Sequence, residues 1–277
     1  MTLSGQLARA RGFIIDLDGV LYRGNMPVAG AAEFIEALLN SRTPIVLLTN
    51  NSVRTAALYV EKLAGMGIHI GADRILTSGQ ATALYLRRVA PPGATVFLIG
   101  EDGVRAELVN RGFVLRNGPD VDYVVVGFDR AVNYEKLKLA TLAIRAGAKF
   151  IGTNPDKTFP TEEGLMPGNG AILAAIEAAT DVTPLVVGKP SSAIFELALE
   201  ELGTHAHETV VIGDRLDTDI VGGCQVGLIT ILVLSGVTHA DELATASVAP
   251  HMVYDDIAAV HAAWRRAQQD AAAESLG

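Results

Sequence analysis

"FIIDLDGVLY", residues 13–22, ends an apolar run in two carboxylates, Asp16 and Asp18, and breaks at once with Gly19. Side chains alternate faces along a strand, so positions i and i+2 point the same way and the two carboxylates are expected to share one small volume. Anions held that close repel each other. They are tolerable when a cation bridges them or when one carboxyl keeps its proton, so the stretch points to a metal site or an acid/base pair. The plainer reading is a polar strand end running into a turn, since Asp and Gly are ordinary turn residues.

Working outward from residue 12, short β-branched runs alternate with Ala/Leu/Glu-rich stretches of helical character. The runs fall at 12–17, 44–50, 74–78, 94–100, 122–129, 149–154, 184–188, 208–214 and 228–234. Helices are expected near 29–41, 53–66, 79–90, 102–111, 133–147, 168–180, 191–203 and 218–225. This alternation predicts an α/β fold with a Rossmann-like parallel sheet and crossover helices. Several strands close in polar clusters: DLDG, TNN, GFDR, GTNPD and GD. In open α/β sheets the ligand crevice lies beyond the carboxyl ends of the strands, so chemistry should collect there.

Three more of these clusters carry candidate residues. In "LLTNNSVRT" (47–55), Thr49 and Asn50 close a strand, and the helix start that follows makes an anion cradle or a plain N-cap. In "VVGKPSSAIFELALEEL" (186–202), Lys189 follows an apolar strand, where the ordinary expectation is a solvated surface lysine. In "VVIGDRLDTDIVGG" (210–223), Asp214, Asp217 and Asp219 crowd one strand end; oxygen-rich clusters of this kind suit Mg²⁺, although Asp219 could serve only as an N-cap. Taken together, Asp16 and Asp214 supply hard oxygen ligands for Mg²⁺ and Asp18 is left for proton transfer. Thr49, Asn50 and Lys189 then surround a position for a dianionic group such as phosphate.

"DLDGVLY", "LLTNNS", "GKPSSAIF" and "GDRLDTDI", in that order, resemble the four motifs of the haloacid dehalogenase-like hydrolases, specifically the p-nitrophenylphosphatase or NagD-like subgroup. "VVVGFDRAVNYEKL", "GTNPD" and "PGNGAILAAIEAAT" resemble that subgroup's cap, so the likeness covers nearly the whole chain. The resemblance implies Asp16 as nucleophile and Asp18 as general acid and then base. It also implies Thr49 and Lys189 on the phosphoryl oxygens, and Mg²⁺ held by Asp16, the Asp18 backbone carbonyl and Asp214. Asp219 would support the metal from behind or through water. The implied reaction is Mg²⁺-dependent hydrolysis of a phosphomonoester through an aspartyl-phosphate. Phosphomutases use the same motifs. A metal-free dehalogenase of this fold has little use for so many acids, and a phospho-Asp receiver module needs a far shorter chain and no insert. A non-catalytic ligand-binding relative is disfavoured because every motif residue is intact.

Spacing sets the domain layout. Thirty residues between Asp18 and Thr49 suffice for a short flap (about 22–28) and one helix, whereas 139 residues between Thr49 and Lys189 must hold an inserted α/β domain. The expected core is 1–79 plus 182–277, and the insert 80–181. The resemblance makes the insert a cap that sets substrate choice, with Arg130, Asn154 and Asp156 at its strand ends as candidate substrate-facing residues.

The partner that the site clusters and the resemblance imply is a small phosphorylated metabolite. The net charge of −9, with no run of Lys or Arg, disfavours nucleic acid. A single cysteine, Cys224, excludes an internal disulfide framework and a thiolate metal cage. No apolar stretch approaches the ~20 residues of a membrane helix. A soluble, reducing, cytoplasmic setting is expected, and a homodimer through the cap is compatible with it. The tail "AWRRAQQDAAAESLG" (263–277) is expected to be a helix fraying at its end.

Overall fold

The computed structural model describes residues 3–161 and 163–274, so the last residues of the expected frayed tail, 275–277, lie outside the described residues. The chain divides into two compact units: 1–49 with 57–76 and 195–277, and 50–56 with 77–194.

The first unit is built on a six-stranded sheet. Its order is Met252–Tyr254, Ile229–Val233, Thr209–Gly213, Gly12–Asp16, Ile45–Thr49 and Ile75–Thr77. The four pairings from Met252–Tyr254 across to Ile45–Thr49 are parallel. The four central strands are five-residue, largely apolar runs buried along their whole length, as strands covered on both faces must be. Helix Ala31–Asn40 buries Ala31, Phe34, Ile35 and Leu38, one face at helical spacing. Phe34 meets Phe13 and Trp264 edge to face, with ring centroids 5.8 and 5.9 Å apart. The chain runs outward from Gly12–Asp16 in one direction and later returns on its other side with Thr209–Gly213. The reversal of strand order therefore falls between the strands that end in Asp16 and lead into Asp214.

The second unit carries its own parallel sheet, ordered Leu185–Val186, Lys149–Gly152, Tyr123–Val126, Thr95–Ile99 and Val114–Leu115. One face packs Phe97, Val124, Val126 and Phe150 against Ala140, Ala143, Ile144, Ile172, Leu173 and Ile176 of helices Tyr134–Arg145 and Asn169–Thr180. Asn133 caps the first of these through Lys136 N–H at 3.0 Å. Residues 182–188 were expected in the core. Instead Leu185 and Val186 pair with Ile151 and Gly152, and the amides of Val187 and Gly188 continue onto the carbonyls of Gly152 and Thr153. An apolar run this short does not encode which sheet edge it completes; these hydrogen bonds decide it.

Other elements depart from the expected list. The helix expected at 218–225 opens as a π-helical turn, Leu216–Ile220, before the α-helix Val221–Gln225. Two antiparallel hairpins, Tyr22–Arg23 with Met26–Pro27 and Thr158–Thr161 with Gly164–Pro167, join the strand inventory. The first of them occupies the expected flap.

Candidate active site

In the first unit the regular strand stops at Asp16. Leu17 bends, Gly19 N–H donates to the Tyr22 carbonyl at 2.7 Å, and Gly19 takes φ +85°, a left-handed conformation that favours glycine. Strict alternation of side chains therefore ends before Asp18 is reached. Asp16 is buried and Asp18 keeps an open face to solvent.

Asp16 is grouped with Asp214 and Asp219: one oxygen from each lies within 4.8 Å of the others, and all three residues are buried. The side chain of Asp18 is not in this group. Asp214 follows strand Thr209–Gly213, and its Oδ2 accepts the Val237 N–H at 2.7 Å. A Cβ at Gly19 or at Gly236 would overlap the Asp214 carboxylate, so backbone closes around it on two sides. The Ser235 hydroxyl fixes that enclosure by donating to the Gly19 carbonyl at 2.6 Å. Asp219 sits in the π-helical turn, where its Oδ2 accepts from Arg215 N–H at 3.2 Å and from the Thr218 hydroxyl at 3.4 Å. Asp217, three residues beyond Asp214, is instead exposed and paired with Arg215. Single-turn π segments are frequent at functional sites. Three buried carboxylates in one small volume form a hard-oxygen donor set that fits Mg²⁺.

Desolvation raises the Asp18 pKa, outweighing the pull of the Lys62 charge and of the backbone N–H groups of Gly24 and Gly19. Lys62 itself lies over the Tyr22 ring, 3.6 Å from its centroid. Thr49 is buried at the end of its strand.

The remaining expected residues belong to the second unit. Lys189 is only 3% exposed, which sets aside the solvated-surface reading; a buried ammonium is costly to desolvate and is rare unless paired. Asn50 donates its amide hydrogens to the Lys189 carbonyl at 3.0 Å and to the Asp156 carboxylate, with both oxygens at 3.3 Å. Asn154, a candidate substrate-facing residue, is buried and donates to the Asn50 carbonyl at 2.8 Å. Asn50, Asn154, Asp156 and Lys189 are thus brought together. Arg130 is held elsewhere in a two-pronged pair with Glu101, Nε to Oε1 at 2.8 Å and Nη2 to Oε2 at 2.7 Å. That hydrogen bonding keeps the Glu101 carboxyl below its ordinary range. Sequence reasoning missed Ser235, Gly236 and Val237, although "LSGVT" after an apolar strand repeats the polar strand-end signal, and it missed Lys62, which sits in an ordinary helix.

The reversal point of the first sheet, with its buried carboxylate group and the acid beside it, has the layout of a haloacid dehalogenase-like hydrolase. A model described as haloacid dehalogenase-like hydrolase matches residues 13–114, and a second, HAD-hydrolase-like, matches 186–260. The chain belongs to this family, in its p-nitrophenylphosphatase and NagD-like subgroup, and is an enzyme of the phosphatase class. An acid sugar phosphatase of Staphylococcus epidermidis is 42% identical over 245 residues, covering 88% of this chain and 94% of the relative. The p-nitrophenyl phosphatase from Archaeoglobus fulgidus is 36% identical with a TM-score of 0.87, covering 92% of this chain and 99% of that one. NagD from Escherichia coli K-12 is 38% identical with a TM-score of 0.85, covering 90% and 97%.

Proposed function

We propose that the protein is a Mg²⁺-dependent phosphatase that hydrolyses small phosphomonoesters through a phosphorylated Asp16. The observation that carries this reading is the buried group of Asp16, Asp214 and Asp219, a hard-oxygen donor set that fits a divalent cation and is excessive for metal-free dehalogenation. Asp16, Asp214 and Asp219 are the residues that would hold Mg²⁺, together with the Asp18 backbone carbonyl. When bound, the ion neutralises charge on the phosphoryl oxygens.

Asp16 attacks phosphorus in line while Asp18, whose proton is favoured by desolvation, passes it to the leaving alcohol oxygen. The aspartyl-phosphate splits one hard displacement into two easier ones. Asp18, now ionised, takes a proton from the water that attacks the acyl phosphate, and Asp16 is regenerated. Thr49 donates a hydroxyl hydrogen bond to a phosphoryl oxygen, and Lys189 supplies positive charge; phosphoryl transfer asks the protein mainly for positioning and charge stabilisation. The second unit acts as the cap that recognises the rest of the substrate. Sugar phosphates head the panel to be tested because the staphylococcal relative is named for them. Hydrolysis of p-nitrophenyl phosphate by the EDTA-stripped protein should be lost and should return on adding Mg²⁺. Undiminished turnover in metal-free buffer overturns the proposal.

A further inference from the structure

Within the second unit, residues 152–156 leave the strand Lys149–Gly152 and are tied down bond by bond. Asn154 Oδ1 accepts the Asp156 N–H at 3.2 Å, the Asp156 carbonyl accepts the Gly170 N–H at 2.8 Å, and Asn169 Nδ2 donates to the Asn154 carbonyl at 2.7 Å. The Gly188 N–H donates to the Thr153 carbonyl at 2.9 Å. The Asn50 carbonyl is held by Asn154 Nδ2 at 2.8 Å and by the Ser78 hydroxyl at 2.5 Å. The backbone that presents Asp156 and the backbone that presents Asn50 are therefore each fixed by several bonds.

Asn50 commits its amide hydrogens to the Lys189 carbonyl and the Asp156 carboxylate. Its Oδ1 is buried with no hydrogen-bond partner among the described residues, close to where a side chain at residue 188 would stand, so Gly188 is required there. Flipping the amide would turn that oxygen toward a carbonyl and a carboxylate, so the orientation is decided by its neighbours. An amide held with one end unsatisfied is offset by a charged acceptor at the other, because hydrogen bonds to carboxylates are the stronger kind.

We infer that Asp156 is a positioning residue for the phosphate end of the reaction: through Asn50 it fixes the Lys189 turn, rather than contacting the variable part of the substrate. The inference rests on the phosphatase reading of Lys189. It departs from the expectation that Asp156 and Asn154 face the substrate, since the side chain of Asn154 and the carboxylate of Asp156 are engaged with Asn50.

The test compares wild type with Asp156→Ala and Asp156→Asn on p-nitrophenyl phosphate and a phosphomonoester panel with Mg²⁺, and measures orthovanadate binding by titration calorimetry. Asp156→Ala should lower kcat/KM about tenfold for every substrate, keep their ranking, and weaken orthovanadate by a similar factor. Asp156→Asn, whose amide oxygen still accepts from Asn50, should recover most of the loss. Should Asp156→Ala fail to fold, Asp156→Ser, whose shorter side chain does not reach the Asn50 amide, should give the same uniform loss. A changed ranking with unaltered orthovanadate binding overturns the inference, as does an Asp156→Asn protein as impaired as Asp156→Ala. A wild type that binds orthovanadate but hydrolyses no phosphomonoester overturns the phosphatase reading instead, while the effect of Asp156→Ala on orthovanadate binding still decides the inference.

Discussion

Neutralising Asp219 should stabilise the metal-free protein while weakening its response to Mg²⁺. Asp219 is 1% exposed, and its carboxylate shares a 4.8 Å neighbourhood with those of Asp16 and Asp214. Two like charges at that separation repel by about 3 kcal/mol at an effective dielectric of ~20, and relaxation and counter-ions leave a net effect of about 1–3 kcal/mol. Asp219→Asn keeps a carbonyl oxygen to accept from Arg215 N–H and the Thr218 hydroxyl, so the local turn should survive. In EDTA the variant should melt about 3 °C or more above wild type. Added Mg²⁺ should raise the Tm of wild type and should raise that of the variant far less at the same concentration, because stabilisation by a ligand depends on its concentration relative to Kd. Differential scanning fluorimetry with and without Mg²⁺ measures both. A variant melting at or below wild type in EDTA refutes the repulsion argument; a full Mg²⁺ response removes Asp219 from the ligand set.

Two further outcomes are expected. His261 packs on Phe34 with ring centroids 5.4 Å apart, and burial, aided by Arg265 and opposed by Glu33, lowers its pKa from 6.5. The unfolded chain then binds the proton more readily, so this contribution to stability is complete above pH 6.5 and is lost as pH falls toward the folded-state pKa. His261→Phe should flatten the acid side of a Tm-against-pH curve; an unchanged slope contradicts the assignment. Lys189→Ala should lower kcat and raise KM for p-nitrophenyl phosphate with the fold intact by circular dichroism; an unfolded variant whose soluble fraction is fully active would make the lysine structural.

The strand–helix alternation was legible because buried parallel strands are continuous apolar runs, as at residues 13–15 and 210–212. The elements that escaped are short or carry breakers. Val114–Leu115 is only two residues long, Met252–Tyr254 is three with one buried, and the hairpin strand Thr158–Thr161 contains Pro160. The gathering of Asp16 and Asp214 at strand ends was legible because each closes or directly follows an apolar run, although the same pattern also fits a turn. The environments of Asn154 and Asp156 were not, because their partner Asn50 lies more than a hundred residues away and no local pattern announces the pairing. The same holds for the side of the fold on which Leu185 and Val186 pair.

The central claim, that Asp16 carries the phosphoryl group, is tested most directly by mass spectrometry of acid-quenched enzyme. An Asp18→Asn variant, which lacks the base for the second displacement, is mixed with p-nitrophenyl phosphate and Mg²⁺, quenched and digested. One added phosphoryl group is expected on the peptide containing Asp16, absent when Asp16 is also changed to Asn. A phosphoryl group on any other residue, or an undiminished label in the doubly changed protein, would contradict the claim.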